Sequence, residues 1–182
     1  APALQTTEAL CDVRDSGRLD AWVRRIAPDV VIHSAALKHV HLGERHPVEC
    51  VLTNLVGVRN AVTAASNAGA SHFVLISSDK AAAPTCVMGA TKRLAELFLH
   101  GFRLEQPTQM KMKSVRFGNV LGSQGSVLPR FAAQIEAGGP VTVTHPDMVR
   151  YFMTIREACD LVITAASHGL GPQRSDVSVY VL

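Results

Sequence analysis

Short apolar runs alternate with longer amphipathic segments along this chain, and the alternation predicts strands separated by helices. The apolar runs lack regular polar alternation, which is typical of strands covered on both faces. In the longer segments apolar residues recur at helical spacing, as at Leu94, Leu97 and Phe98. We predict strands at Val30–His33, His72–Ser77, Lys113–Phe117, Val141–Thr144 and Ser178–Leu182. We predict helices at Val48–Asn67, Val87–Glu105, Val127–Ala137 and Arg156–Ser167.

Turn and cap residues support these boundaries. Pro47 stands immediately before the first long helix, and Gly69 follows its end. Ser126 is placed as the N-cap of the third helix, which Gly138 and Gly139 terminate. Helices of ten or more residues between strands require crossover connections, so the strands should run mainly parallel. The sequence therefore predicts an α/β fold with a mainly parallel sheet.

Composition narrows the class of protein. The chain has 182 residues, of which 47% are hydrophobic, 18% charged and 5% aromatic, and its net charge is +3. This length supports one domain with a sizeable core. No apolar run approaches the roughly 18 to 20 residues needed to span a membrane, and Ala1–Leu10 lacks the features of a signal peptide. The small positive charge is dispersed, with few aromatic residues, which argues against nucleic-acid binding.

Cysteine and histidine spacing predicts no metal site. The cysteines are Cys11, Cys50, Cys86 and Cys159. They are far apart and form no Cys-x-x-Cys motif, which favours reduced thiols in a cytoplasmic protein. His39, His41 and His46 lie close in sequence, but their spacing matches no standard zinc motif.

Polar residues and glycines follow three of the predicted strands. The segments are Ser34–Val40, Ser78–Lys80 and Gly118–Ser126. Ligands of parallel sheets bind beyond the carboxyl ends of the strands. Polar segments that follow three separate apolar strands indicate a ligand-binding site more than a chance arrangement. Each feature also has a simpler interpretation, since Asp79 and Lys80 could form a surface ion pair and Ser126 could only cap a helix.

The helix after the second strand carries Met88 and Lys92, four residues apart and therefore on one face. A methionine at such a position is more often a core residue, and an isolated lysine is more often solvated. The four-residue spacing alone therefore does not decide whether this pair belongs to a functional site.

Several sequence blocks resemble the polysaccharide-biosynthesis (CapD-like) nucleotide-sugar dehydratases, which are extended relatives of the short-chain dehydrogenases. This family is typified by UDP-N-acetylglucosamine 4,6-dehydratase. The blocks occur in the family's order and cover nearly the whole chain. They are Cys11–Asp15, Ala35–Val40, Thr53–Gly57, Ser78–Ala81, Pro84–Thr85, Val87–Arg93, Arg116–Ser123 and Met148–Thr154. Met88 stands where most short-chain dehydrogenases have tyrosine, as in one branch of this family, whose members are usually longer and membrane-anchored.

The resemblance implies a Rossmann-like three-layer α/β/α fold and an NAD-dependent lyase that acts on a UDP-N-acetylhexosamine. In this family, tightly held NAD+ takes a hydride from C4 of the sugar, a proton leaves C5, water leaves C6, and the hydride returns to C6. The product is a 4-keto-6-deoxy sugar for surface polysaccharides. Relatives commonly self-associate, so a homo-oligomer is expected.

Catalytic roles follow from the resemblance, position by position. Asp79 matches the acid that protonates the leaving C6 hydroxyl, and Lys80 matches the base that removes the C5 proton, for which it must be neutral. Ser78 matches a hydroxyl that bonds the C4 oxygen. Lys92 matches the lysine on the nicotinamide ribose. Met88 occupies the place of the usual tyrosine base and cannot act as one.

The resemblance also implies ligand contacts. Asp12 and Val13 match an adenine-contacting pair, and Asn54 is either structural or on the cofactor side. The cofactor-binding set is Asp12, Val13, Ala35, Ala36, Lys38, Asn54, Ser77, Lys92, Arg116 and Phe117. The substrate-binding set is Lys38, His39, Asn119, Ser123, Gln124, Ser126 and Arg150.

One part of the family pattern is missing. The sequence contains neither a glycine-rich dinucleotide fingerprint nor the acidic residue about 20 positions beyond it. We therefore expect residues 1–182 to form a single partial domain, without the first β-α-β-α unit, with part of a substrate-binding lobe at about 119–160. Two alternatives stay open: a non-catalytic fragment or pseudo-enzyme, and a nucleotide-sugar 4-epimerase, which would not need Lys80 as a C5 base.

Overall fold

The computed structural model describes residues 5–106, 108–123, 127–143, 145–167 and 177–181. The strands are β1 (Val30–His33), β2 (His72–Ile76), β3 (Lys111–Arg116), β4 (Asn119–Val120), β5 (Phe152–Met153) and β6 (Val177–Val181). The helices are α1 (Ser16–Ile26), α2 (Val40–Arg45), α3 (Pro47–Val51), α4 (Gly57–Asn67), α5 (Val87–Glu105), α6 (Val127–Glu136) and α7 (Ile155–Ser167).

The main sheet has the order β1-β2-β3-β6, and every pair in it is parallel. The register pairs His33 with Leu75 and Ile76 with Val115. Each parallel connection runs through at least one helix, as helical crossovers require. The predicted α/β fold with a mainly parallel sheet is confirmed.

Strand β2, inside the sheet, is covered on both faces. Phe73 and Leu75 of β2 pack with α4 and α5 in one apolar cluster. Val74, between them, faces the other way and packs with Val162 and Ala165 of α7. Because successive strand residues point to opposite faces, these two clusters define a three-layer α/β/α arrangement. Strand β2 is apolar on both sides at Phe73, Val74 and Leu75.

The long helix predicted at Val48–Asn67 is one continuous helical run built from α3, a π-helical turn at Leu52–Val56, and α4. A π-turn shifts the helix register by one residue, and such turns occur frequently at functional sites. Asn54 lies inside this turn and is fully buried.

One predicted strand and one helix require correction. The strand predicted at Val141–Thr144 is wrong for its described residues, because the Thr142 N–H donates to the side chain of Gln134 instead of to a strand (3.1 Å). Thr144 lies outside the described residues. Helix α1 was not predicted; it begins after the N-cap Asp15, whose carboxylate accepts from the Arg18 N–H.

Helix α2 and the two short strands β4 and β5 were not predicted either, whereas the other elements match their predictions with small shifts at the ends. Strand β3 begins at Lys111, two residues earlier than predicted, and β6 begins one residue earlier. Leu182, the predicted last residue of β6, lies outside the described residues, as does the predicted cap Ser126. Among the described residues, no helix has both the length and the apolar character that crossing a membrane requires.

Candidate active site

The carboxyl ends of β1, β2 and β3 lie side by side because the three strands are parallel neighbours. Main-chain hydrogen bonds continue just beyond them. The Ser77 N–H donates to the Val115 carbonyl (2.8 Å), and the Asp79 N–H donates to the Phe117 carbonyl (3.2 Å). Polar segments from different parts of the sequence therefore meet at one edge of the sheet.

A short 3₁₀ turn at Asp79–Ala81 carries the polar group that follows β2. Ser78 caps it by accepting from the Lys80 N–H (3.2 Å), and the Ser78 hydroxyl donates to Asp79 (2.9 Å). The Lys80 ammonium also donates to Asp79 Oδ1 (2.9 Å). Burial alone would raise the pKa of Asp79, but the hydrogen bonds from Lys80 and Ser78 lower it below its usual range. Both side chains stay partly exposed, so a ligand can reach them.

Helix α5 places Lys92 directly behind this turn. The Lys92 ammonium donates to the carbonyl of Ile76 (2.7 Å), and the residue is only 4% exposed. Burial lowers the pKa of Lys92 to about 8, while Cys50 and Glu96 act in the opposite direction. Met88, one turn earlier, is buried and lies against Gly43, as the core interpretation of this methionine predicts.

Glu96 is a buried carboxylate that sequence reasoning missed. It accepts from the Ser77 hydroxyl (2.6 Å), from Arg116 Nε (2.8 Å) and from Arg93 (3.2 Å). Burial would raise the pKa of Glu96, but the bonds from Arg116 and Ser77 lower it. The spacing Lys92 to Glu96 repeats the spacing Met88 to Lys92, and this was the signal that could have found it.

Asn54 ties the segment after β1 to helix α5. Its side-chain oxygen accepts from the Leu37 N–H (2.8 Å), and its amide donates to the Leu37 carbonyl (3.1 Å) and to Thr91 Oγ1 (3.0 Å). Leu37 lies between Ala36 and Lys38, so Asn54 fixes the predicted cofactor loop through its main chain. This contact supports the structural alternative for Asn54.

The predicted adenine-contacting pair is held against α4. The Asn60 amide donates to the Val13 carbonyl (3.0 Å), and Gly57 leaves room for the Val13 side chain, because a Cβ there would lie 2.8 Å from Val13 Cγ2. Both carboxylate oxygens of Asp12 accept from Arg14, whose hydrogen bonds lower the pKa of Asp12 to about 2.

The predicted substrate-binding residues are less closely assembled. The Asn119 N–H donates to the Tyr151 carbonyl in the β4–β5 pair (2.9 Å). Arg150 is exposed, and its guanidinium donates to the neighbouring Val149 carbonyl (2.8 Å). Ser123 follows β4, and His39 is the N-cap residue of α2. Gln124 and Ser126 lie outside the described residues. Substrate roles for this group stay predictions.

The cofactor roles assigned to three residues after β2 and β3 also stay predictions. Ser77 and Arg116 direct their polar side-chain groups to Glu96. Phe117 is half-buried, and its carbonyl accepts from the Asp79 N–H (3.2 Å).

The parallel sheet, its two helical layers and the polar strand ends define a Rossmann-like fold of the short-chain dehydrogenase type. The family described as "Polysaccharide biosynthesis protein" matches residues 2–180, and the chain belongs to this family. The probable polysaccharide biosynthesis protein EpsC of Bacillus subtilis is 52% identical over 164 residues. That match covers 90% of this chain and 27% of EpsC, so the chain spans about a quarter of this relative.

Two of three further similar proteins carry enzyme names. The UDP-glucose 4-epimerase of Rickettsia massiliae is 38% identical, with 87% of this chain and 46% of the epimerase covered. The crystal structure of Pen from Bacillus thuringiensis is 39% identical, with a TM-score of 0.82 over 90% of this chain and 51% of that chain. The dTDP-glucose 4,6-dehydratase DesIV of Streptomyces venezuelae, solved with NAD and DAU bound, has a TM-score of 0.82 at 20% identity, over 94% of this chain and 56% of that chain. At that identity, the likeness supports the fold alone.

Proposed function

We propose that this chain carries the reaction centre of an NAD-dependent nucleotide-sugar 4,6-dehydratase that acts on a UDP-N-acetylhexosamine, with UDP-N-acetylglucosamine as the first candidate. The observation that carries the proposal is the Asp79–Lys80 pair at the end of β2, joined at 2.9 Å and open to a ligand. Family membership supports the reaction class, because the family serves polysaccharide biosynthesis.

The residues of this chain fit the nicotinamide-ribose half of NAD. Lys92 holds a buried ammonium at the strand ends, and a ribose hydroxyl is a suitable acceptor for it. Ser34 and Ala35 after β1 are small and exposed, which leaves their main chain open to close approach. NAD+ held by these residues would supply hydride transfer between C4 and C6 of the sugar. The carboxylate of Asp12 is half exposed and is proposed to meet the adenine end.

The Asp79–Lys80 pair can supply both proton transfers of a dehydration. In the ion pair, Asp79 is a carboxylate and Lys80 an ammonium. Moving one proton across their hydrogen bond gives a neutral acid and a neutral amine with no change in total charge. Exclusion of water by a bound sugar favours this neutral form, because charges are costly in a dry site. Lys80 is then the base for C5, and Asp79 donates its proton to the leaving C6 hydroxyl.

Isotope incorporation tests the reaction. The chain is incubated with NAD+ and UDP-N-acetylglucosamine in heavy water, and the product is examined by NMR and mass spectrometry. We expect a 4-keto-6-deoxy sugar with deuterium at C5. The Lys80→Gln variant should lose C5 exchange, whereas Lys111→Gln, at the opposite end of β3, should retain it. Normal exchange in Lys80→Gln would overturn the role of Lys80.

A second candidate function is 4-epimerisation, which the similarity to the Rickettsia epimerase favours. An epimerase would return the hydride to C4 and would not remove the C5 proton. The same experiment separates the two reactions, since a C4 epimer without deuterium would favour the epimerase. A chain that neither retains NAD nor forms a product would favour a non-catalytic fragment.

We also propose that the chain self-associates through the outer face of α5. Leu94 and Leu97 are 47% and 48% exposed, and Leu104 continues the same stripe at a seven-residue repeat. A self-complementary apolar stripe suits a two-fold pairing of identical copies. Leu97→Glu should shift sedimentation velocity toward the monomer. Leu128→Glu, on the similarly exposed face of α6, should leave it unchanged, and a single unshifted species in both variants would contradict the proposal.

A further inference from the structure

Glu96 is a buried titratable group that the proposed reaction does not use. The residue is 1% exposed, and a charged carboxylate is strongly unfavourable in such a place unless it is paired and hydrogen-bonded. Its bonds reach three different elements: Ser77 at the end of β2, Arg116 at the end of β3, and Arg93 on its own helix. A single side chain thus joins two strand ends to α5 immediately behind the reactive turn.

Glu96 and Lys92 together hold two consecutive residues of the chain. Lys92 bonds the Ile76 carbonyl at 2.7 Å, and Glu96 bonds the Ser77 hydroxyl at 2.6 Å. Their spacing of four residues places both on one face of α5. The turn with Asp79 and Lys80 begins just beyond Ser77, so an error in the position of Ser77 would be passed directly to the reactive pair.

The charge of Glu96 also acts on Lys92. The titratable groups that face the Lys92 ammonium are His33 at the end of β1, Cys50 on α3 and Glu96 on α5. Burial lowers the pKa of Lys92, and Cys50 and Glu96 raise it. Glu96 is the carboxylate among these groups, and it favours the ammonium form of Lys92 even though Arg116 shares its charge.

We propose that Glu96 is the positioning residue of this site. It fixes the end of β2 that carries the Ser78–Lys80 turn, and it keeps a negative charge one helical turn from Lys92. This inference rests on the proposed function, because a positioning role requires that Asp79 and Lys80 are the reactive pair. Arg116 then belongs to the network that supports Glu96.

Lysine titration tests the charge of Glu96 without any assay of activity. The Lys92 side chain is followed by NMR in the 182-residue chain and in Glu96→Gln, which keeps the shape of the side chain and removes its charge. We expect the titration midpoint of Lys92 to move to lower pH in Glu96→Gln. Glu105→Gln, the same exchange at the exposed end of α5, should leave the midpoint unchanged. An unshifted midpoint in a folded Glu96→Gln variant would overturn this part of the proposal.

Amide hydrogen exchange tests the positioning, and it stays informative if Glu96→Gln does not fold. Ser77→Ala removes one bond to Glu96 and keeps the charge. We expect exchange of the Asp79 amide, which bonds Phe117, to accelerate by about tenfold or more. Ser71→Ala, which removes a side-chain bond to Asp29 before the other end of β2, should not change it. Equal exchange in both variants would reject the positioning role.

The activity assay separates failure of this inference from failure of the proposed function. If the wild-type chain exchanges the C5 proton, Ser77→Ala should lower that rate by about tenfold, because misplacing a catalytic group costs rate steeply. Unchanged C5 exchange in Ser77→Ala would reject the inference and leave the dehydratase intact. If the wild-type chain forms no product with bound NAD and sugar, the proposed function fails, while the titration and amide exchange still decide the role of Glu96.

Discussion

The Lys92 ammonium donates a hydrogen bond to the main-chain carbonyl of Ile76 at 2.7 Å, inside a region where the side chain is almost fully buried. Burial lowers the pKa of Lys92 from 10.5 to about 8. At neutral pH the folded protein therefore holds a charge in a place that disfavours it. A shift of this size corresponds to about 3 kcal/mol of stability lost by the folded state.

We expect Lys92→Met to stabilise the fold while it removes the proposed function. The loss of the bond to Ile76 costs about 1 kcal/mol, which leaves a net gain of about 2 kcal/mol at pH 7. Because the folded pKa lies below the unfolded one, the cost is full below pH 8, falls as the pH rises from 8 to 10.5, and is absent above 10.5. Urea unfolding at pH 7 and pH 10 should show the gain shrinking at the higher pH.

The control for this prediction is Lys111→Met. Lys111 is half-buried at the start of β3, away from the strand ends, so its replacement should change the free energy of unfolding little at either pH. A Lys92→Met variant that is less stable than the wild type at pH 7 would contradict the argument that burial of this ammonium is unfavourable.

Much of the fold follows from local pattern. The runs at Val30–His33 and His72–Ser77 are apolar except at their histidines and at Ser77, so their identification needed no knowledge of tertiary contacts. The helix at Val87–Glu105 was predicted with the bounds that the structure shows. Parallel order then followed from the length of the connections, and it placed the polar segments at one edge.

Other features depend on contacts that are distant in sequence. The apolar residues Val141 and Val143 suggested a strand, but the side chain of Gln134 takes the main-chain donor of Thr142 between them. From the sequence alone, Glu96 is expected to be an exposed acidic residue on an amphipathic helix. Its burial is explained by Arg116 and Ser77, which lie beside it in the fold. The sequence pattern predicts which face of a helix a residue occupies. The residues that this face contacts are determined by the tertiary fold.

Gly89 allows the first turn of α5 to approach the reactive turn. A Cβ at this position would lie 2.6 Å from the Lys80 carbonyl oxygen, which is closer than such atoms pack. We expect Gly89→Ala to move Lys80 and to destabilise the fold by about 1 to 2 kcal/mol. Chemical denaturation measures the stability, and the chemical shifts of Lys80 report its displacement.

The matched control is Gly101→Ala on the same helix. No atom lies within 4 Å of a Cβ there, so the higher helix propensity of alanine should stabilise the fold by up to about 1 kcal/mol. Opposite signs for the two changes are expected. A stabilising Gly89→Ala would mean that the helix and the turn do not need this close approach.

Cys86 is the N-cap of α5, and it is a weak one. Its thiol accepts from the Gly89 N–H at 3.4 Å, and sulfur is a poor acceptor. The extended backbone of Cys86 suits asparagine, so we expect Cys86→Asn to stabilise the fold by about 0.5 to 1 kcal/mol. Thermal unfolding under reducing conditions measures this.

The same substitution at Cys159 controls for the loss of a thiol. Cys159 is exposed inside α7, where cysteine and asparagine have similar helix propensities, so Cys159→Asn should be nearly neutral. An equal change in both variants would show that capping of α5 is not the cause.

His33 makes the fold sensitive to mild acid. It lies at the end of β1, is 5% exposed, and stacks on Phe73. Burial, assisted by the positive charge of Lys92, lowers the pKa of His33 from 6.5 to about 4. A depressed folded pKa means that the stability is fully present above pH 6.5 and is lost as the pH falls toward 4. We expect a loss of about 3 kcal/mol over this range from His33 alone.

Unfolding by urea between pH 7 and pH 4 measures this loss in the wild type, in His33→Gln and in His100→Gln. His33→Gln removes the titrating group, so its stability should fall less steeply with acid even though the variant is less stable at pH 7. His100 is exposed on α5, and its replacement should leave the wild-type slope unchanged. If His33→Gln and the wild type lose stability in parallel, protonation of His33 does not limit the fold in acid, and other groups must account for the slope.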